Sequence, residues 1–253
     1  MKKLVKLLLV GLMSLTCVAC GNNNDKEDQV WSDQLIKEGE LVVGISPDYP
    51  PYETIDENGN MVGFDIDMAE ELGKIMGVKI VWEKMDFSTI VDAVNLGQVD
   101  CGIAGFTYDP TRQVLFSDYY LKSKQVVLVK ADAGINAITD LNGKTVGAQL
   151  GTTGEDCANG IEGATVETNK DAKLLVESLK AGQLDAVVID VLVAQNYVAN
   201  DSTLNILDES LKDEENGIIT STTNELLMAK LNEAIATFKA SEAYNTLKNK
   251  WGM

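Results

Sequence analysis

The sequence predicts an α/β protein built from two similar lobes. Two observations carry this. From residue 41 onward, β-branched apolar runs alternate with amphipathic segments of helical period, the pattern of a mostly parallel sheet flanked by helices. A stretch of the first half also recurs in the second. Residues 90–105 align with residues 175–190 at four identical positions in 16, and both read helix, Gly-Gln turn, strand. Val43-Gly44 followed by a loop is echoed by Val146-Gly147 followed by a loop.

The N-terminus comes first. Lys2, Lys3 and Lys6 make a positive N-terminal region, and residues 4–15 are an apolar stretch, broken only by Lys6, Gly11 and Ser14, that is too short to span a bilayer and has signal-peptide flanks. It ends in Leu15-Thr16-Cys17-Val18-Ala19-Cys20-Gly21, which resembles a bacterial lipobox with Cys20 as the lipidated residue; Cys17 stands where Leu is usual. Residues 1–19 are therefore expected to be a lipoprotein-type signal peptide, and Cys20 to carry a lipid that tethers the chain to the membrane. Polar residues 21–28 open a flexible tether, residues 20–38.

The ordered chain follows. Residues 41–45 read as a buried strand. Asn58-Gly59 marks a hairpin turn. Residues 65–76 are helical, with Ile66, Ala69 and Leu72 on one face and Gly77 as the stop. Residues 78–82 are a second strand. Ser88 is expected to cap a helix that runs to Gly97, and residues 99–104 form a third strand. Residues 225–251 are helical, with a core-facing stripe of Leu226, Leu227, Leu231, Ile235 and Phe238.

Composition excludes several functions. Without residues 1–19 the chain carries 18 basic against 39 acidic residues, a net charge of −21, which argues against nucleic acid and against anionic lipid surfaces. No histidine is present, which removes the commonest general base and transition-metal ligand. Cys101 lies in an apolar run and reads as a buried thiol, with a disulfide to Cys157 the alternative; two widely spaced cysteines suggest no metal site. No cofactor is expected.

Four features point to a small polar ligand. Arg112 is the sole arginine, beyond a predicted strand end; a guanidinium suits bidentate carboxylate binding, and a surface ion pair is the other reading. Gly151-Thr152-Thr153-Gly154-Glu155 opens a helix whose free N–H groups attract anions, or which is simply capped. Asp190 ends an apolar strand and needs a partner, a ligand ammonium or a lysine. Tyr49 and Tyr52 sit in a proline-stiffened loop and can wall a pocket or pack locally. Strand ends from two lobes facing one cleft make a binding site.

Taken in order, Leu41-Val-Val-Gly-Ile-Ser-Pro-Asp-Tyr-Pro-Pro-Tyr-Glu53, Val62-Gly-Phe-Asp-Ile-Asp-Met68, Ala104-Gly-Phe-Thr-Tyr-Asp-Pro-Thr-Arg112, Phe116-Ser-Asp-Tyr-Tyr120 and Gly151-Thr-Thr-Gly-Glu155 carry a resemblance over residues 38–251. So do Gly97-Gln-Val-Asp100, Lys144-Thr-Val-Gly147 and Gly182-Gln-Leu-Asp185 with Asp190. The chain resembles the bacterial extracellular solute-binding proteins that serve polar amino-acid ABC importers. That resemblance implies a type II periplasmic-binding-protein clamshell: lobe one at residues 39–122 and 215–253, lobe two at 123–214, and two hinge strands between. It implies Arg112 on the ligand carboxylate, aided by Thr107 and the amides of Thr152 and Thr153. Asp190 and the Gly105 backbone would take the ammonium, and Tyr49 and Phe87 would form aromatic walls. Ser46, Tyr52, Phe87 and Gln149 would face the ligand side chain; none is charged, so a neutral polar or sulfur-containing amino acid is expected, unless Glu53 or Asp48 turns inward. Ala104 replaces a usual small hydroxyl residue, and Asn216 a usual aromatic.

The partners implied are an amino acid and an ABC permease, with the binding protein a monomer. Two other classes stay open. A dehydratase-type enzyme on the same fold would need an acid or base, for which Glu53 and Asp48 are the candidates. A sensor module would be joined to a spanning helix and a signalling domain, and neither pattern occurs through Met253.

Overall fold

The computed structural model describes residues 31–253, so the signal-peptide and Cys20 expectations lie outside the described residues. Two five-stranded sheets organise the chain. The first runs β5 (Lys79–Lys84), β1 (Glu40–Ile45), β6 (Cys101–Gly102), β13 (Ile219–Thr220), β7 (Leu115–Phe116). The second runs β10 (Thr165–Asn169), β9 (Thr145–Gln149), β11 (Ala186–Asp190), β8 (Leu121–Lys130), β12 (Leu204–Asn216). A small antiparallel sheet, β2 (Asp48–Tyr49), β3 (Glu53–Ile55) and β4 (Met61–Val62), contains the predicted Asn-Gly turn. There Asp56 Oδ1 accepts the N–H groups of Asn58 and Asn60.

Each large sheet has one strand opposed to the other four, β13 in the first and β8 in the second. Both opposed strands lie where the chain passes directly from one sheet to the other. No crossover helix returns them to the parallel direction, so an antiparallel fit results. The chain makes that passage twice, after β7 and after β12, and the two crossing strands pair to their ends, Ser123 with Glu214 and Leu121 with Asn216. This is the two-lobe, type II architecture.

The internal repeat is structural as well as sequential. Val43 pairs with Cys101 in lobe one, and Val146 with Ala186 in lobe two, the positions the sequence alignment equates. The repeated aspartates do one job. Asp100 Oδ2 accepts the Val42 N–H at 2.7 Å and Asp185 Oδ2 the Thr145 N–H at 2.8 Å, each tying a Gly-Gln turn to the start of the neighbouring strand. The repeated glycines do another. A Cβ on Gly44 would lie 3.2 Å from Ile90, and one on Gly147 only 2.5 Å from Leu184 and 3.0 Å from Leu175. A side chain at Gly147 would force Leu184 and Leu175 to shift, and one at Gly44 would press tightly on Ile90 of the covering helix. Asp190 ends β11, whereas Gly105, at the aligned position of lobe one, lies three residues beyond the shorter β6.

The helices are α1 (Phe64–Met76), α2 (Phe87–Asn95), α3 (Thr153–Asn159), α4 (Ala172–Lys180), α5 (Val191–Asn200), α6 (Glu225–Lys239) and α7 (Glu242–Trp251). Gly77 ends α1 in the left-handed conformation, its N–H returning to the Gly73 carbonyl. α1 buries Phe64, Met68 and Leu72 in one core with Leu227, Leu231, Ile235 and Phe238 of α6. Leu226 is 42% exposed, a correction to the expected stripe: it stands beside Leu227, so the two cannot share a helix face. The C-terminal stretch breaks at Ala240 into two helices. Ser88 does not cap α2. Asp86 holds that position, and its carboxylate pairs with Lys170 at 2.9 Å instead of with the helix. Cys101 is buried in lobe one and Cys157 is half-buried in lobe two; both are free thiols.

Candidate ligand-binding site

A narrow cavity of about 20 Å³, room for about one water molecule, lies between the strand ends of the two lobes. Lobe one supplies Tyr49 from β2, Phe87 at the start of α2, Gly105 and Thr107 beyond β6, and Arg112. Lobe two supplies Gln149 at the end of β9, Thr152 and Thr153 at the start of α3, and Asp190 at the end of β11. Nine of the eleven residues picked out as ligand contacts therefore meet around one space.

Arg112 is held on several sides. Its side chain is 10% exposed, and Nε lies 3.6 Å from Asp109. Nη2 donates to the Gly151 carbonyl of lobe two at 2.9 Å. The guanidinium carbon sits 5.4 and 5.3 Å from the ring centres of Phe87 and Phe106, which stack on each other. Burial pulls its pKa down, against the raising effect of Asp109. Nη1 is buried and takes no acceptor from the protein. A donor so placed, on a group that keeps its charge, is a ready contact for an anion. Beside it, Thr152 caps α3: its hydroxyl accepts the Glu155 N–H, and its own amide faces the Gln149 carbonyl at 3.4 Å.

Asp190 is 2% exposed. Oδ1 accepts the Leu192 N–H at 2.8 Å and Oδ2 the Tyr52 hydroxyl at 3.3 Å, and neither partner is charged. Burial pushes its pKa up to about 7, opposed by the Ser123 hydroxyl, the Leu192 N–H and the Tyr52 hydroxyl and helped by nearby Glu214. A cation in the cavity would ionise it.

Three further carboxyls line the cavity: Asp48, Glu53 and Glu214. Asp48 Oδ2 accepts Gln149 Nε2 and the Ala172 N–H, both from lobe two. Glu53 is buried, its Oε2 without a protein partner, and its pKa is raised well above the usual value by burial and then by the charge of Asp65. Asp65 is itself raised to about 6 by burial, though it accepts the Gly105 N–H and the Tyr120 hydroxyl. Glu214 Oε2 accepts from Thr107 and Gln125, while its Oε1 and Gln125 Oε1 are left unpartnered. The wall thus presents four carboxyl groups and one guanidinium.

The family description for bacterial extracellular solute-binding proteins, family 3, matches residues 41–253. The chain belongs to that family. This solute-binding protein is 31% identical over 99% of its length to the arginine-binding extracellular protein ArtP of Bacillus subtilis (strain 168), covering 98% of that protein. It is 27% identical to the L-cystine-binding protein TcyJ of Escherichia coli (strain K12), covering 96% of this chain and 94% of that one. A crystal structure of the substrate-binding protein of an amino acid ABC transporter superposes with a TM-score of 0.80 at 35% identity, over 84% of this chain and 99% of the other.

Two of the predicted contacts lie elsewhere. The solute-binding protein keeps Ser46 off the cavity wall: its hydroxyl donates to Asp48 at 2.8 Å, and it borders an outer groove with Asp86 and Lys170. Tyr52 is fully buried behind Tyr49: it lies in the loop between β2 and β3, with its hydroxyl turned to Asp190 and Asn216. With Asp48 and Glu53 inside, the premise of an uncharged side-chain pocket fails. The signal was present in the sequence, as two acids flanking the tyrosine loop. What was missing was the direction in which each faces. Glu214 and Gln125 carried no such signal, since both lie on the crossing strands, whose pairing register alone brings them to the cavity.

Proposed function

We propose that this protein captures an amino acid with a cationic side chain outside the cytoplasmic membrane and delivers it to an ABC permease. The ligand is held as a zwitterion: its carboxylate on Arg112 with Thr107, Thr152 and Thr153, its ammonium on Asp190 and the Gly105 carbonyl. Its side chain passes between Tyr49 and Phe87 toward Gln149, Asp48 and Glu53. The observation that carries this reading is the wall of four carboxyls against one guanidinium, with Arg112 Nη1 and Glu53 Oε2 unpartnered. A cation neutralises buried acids that are otherwise costly to ionise. The arginine-binding relative supports the same choice.

We assign residues 39–122 and 215–253 to lobe one and 123–214 to lobe two, with a monomer tethered through lipid on Cys20. The chain acts by binding and release. Asp48, one of its two candidate acids for catalysis, is already bonded across the cleft. Turnover of prephenate or arogenate would overturn that reading.

A thermal-shift screen of the common amino acids and cystine tests the ligand. Arginine or lysine should raise the midpoint most, since ligand in hundredfold excess over Kd stabilises by about 2.7 kcal/mol. The cystine-binding relative supplies the alternative; a largest shift with cystine or a neutral amino acid would replace the cationic reading.

A further inference from the structure

Tyr52 and Asn216 are both fully buried, and neither lines the cavity. Yet a chain of contacts through them spans the site. The Tyr52 hydroxyl lies 3.3 Å from Asp190 Oδ2 and 3.1 Å from Asn216 Oδ1. Asn216 Nδ2 in turn donates to the Gly105 carbonyl at 2.9 Å. Tyr52 comes from the loop between β2 and β3, Asn216 from the end of β12 on a crossing strand, and Asp190 from lobe two. The chain therefore joins the two acceptors assigned above to the ligand ammonium, one from each lobe.

We propose that Tyr52 and Asn216 are positioning residues that set the spacing and protonation of the ammonium subsite through a single shared hydroxyl proton. This rests on the zwitterion reading of the site. A phenol has one proton, so Tyr52 donates to one acceptor at a time. When Asp190 is ionised, the proton points to its carboxylate. When Asp190 is protonated, its own proton can go to the Tyr52 oxygen, and Tyr52 then turns to Asn216. An arriving ammonium ionises Asp190 and draws the hydroxyl toward it. Asn216 keeps its amide on Gly105 in both states, so the carbonyl stays aimed while the carboxyl changes charge.

The surroundings leave this role to Tyr52. The groups facing Asp190 are Tyr49 and Tyr52 from lobe one, the Ser123 hydroxyl of β8, Glu214 from β12, and the Leu192 N–H of its own helix. Tyr49 meets Asp190 at the backbone, where its oxygen accepts the Asp190 N–H at 3.0 Å, and not at the carboxylate. Glu214 is an acid and disfavours the ionised form of Asp190. No other aromatic hydroxyl bonds this carboxylate among the described residues. The sequence pairs a tyrosine at 52 with an asparagine at 216, where an aromatic residue would offer the hydroxyl no carbonyl oxygen.

The test uses calorimetry with L-arginine and with its des-amino analogue, which keeps the guanidinium and carboxylate but lacks the ammonium. Tyr52→Phe, which preserves volume, should weaken L-arginine by about tenfold, the effect of losing one hydrogen bond to a charged group. Asn216→Leu should weaken it similarly. Both variants should bind the des-amino analogue as the wild type does. Equal losses for the two ligands, or wild-type L-arginine affinity in both variants, would overturn the relay and leave the ligand reading standing. A second readout needs no ligand. Carbon NMR of the Asp190 carboxyl should give a midpoint near 7 in the wild type and a higher one in Tyr52→Phe. An unchanged midpoint would overturn the relay even if L-arginine proved not to bind, an outcome that would by itself remove only the cationic reading.

Discussion

Asp48 Oδ2 accepts the backbone N–H of Ala172 at 2.7 Å, a hydrogen bond that leaves one lobe and ends on the other. Ala172 opens α4, whose cap Asp171 already takes the next two N–H groups, so the helix N-terminus is bonded by acids from both lobes. Gln149 Nε2 reaches the same oxygen at 2.8 Å. Asp48 thus fastens the lobes as well as lining the cavity. Asp48→Ala should leave two donors unpartnered only when the lobes are together. The ligand should then dissociate faster by tenfold or more, at about 1.5–3 kcal/mol per bond to a charged group, while association changes little. Stopped-flow binding reads both rates. An unchanged dissociation rate would show that Asp48 does not hold the lobes.

Arg112→Lys should bind poorly. An ammonium cannot lie over both Phe87 and Phe106, reach the Gly151 carbonyl and still offer a second parallel donor. Truncating one side of a desolvated charge pair costs about 2–5 kcal/mol, or roughly thirtyfold to several-thousandfold in affinity. Calorimetry on the folded variant decides the matter; native affinity would reduce Arg112 to a structural ion pair with Asp109.

Asp190 should make stability and affinity run in opposite directions with pH. Its pKa is about 7 in the folded chain and 3.8 when unperturbed. Between those values the unfolded chain loses the proton while the folded chain keeps it, so the stability of the unliganded protein falls as pH rises from about 4 to about 7. Affinity for an ammonium rises through the same upper range, because only the ionised carboxylate pairs with it. Asp190→Asn should therefore melt higher than the wild type at pH 8, with the difference vanishing toward pH 4, and should lose most of its affinity. Thermal melts across pH check this, and a lower melting temperature for Asp190→Asn at pH 8 would refute it.

Gly147→Ala should cost more stability than Gly44→Ala. The added Cβ would meet Leu184 at 2.5 Å in the first case and nothing closer than 3.2 Å in the second. Overpacking of a closed core costs about 1–3 kcal/mol. Urea midpoints at constant slope measure both; equal midpoints would mean that Leu184 and Leu175 give way freely.

Cys20→Ala should release the protein from the membrane fraction, and mass spectrometry of the native chain should find lipid on Cys20. An unmodified mature N-terminus at another residue would remove the anchor.

The sequence by itself determined the architecture, because periodicity and repetition are local and additive. The strand at residues 41–45, the helix ended by Gly77 and the two Gly-Gln-x-Asp turns are specified by short-range chemistry. The duplicate turns then tie equivalent strands in the same register in both lobes. Arg112 and Asp190 were legible too, since a lone arginine and an acid ending an apolar strand stand out without coordinates. Which way neighbouring residues of the tyrosine loop face was settled only in three dimensions. Tyr49 reaches the cavity and Tyr52 the core, while Asp48 and Glu53 turn inward although the sequence offers Ser46 equally. Glu214 and Gln125 entered the site only through the pairing of two crossing strands far apart in the chain. The charge of the pocket, and with it the ligand class, depends on those orientations. A reversal of one side chain across a strand moves a carboxyl from solvent into a buried cleft, and no pattern in sequence records which oxygen is left without a partner.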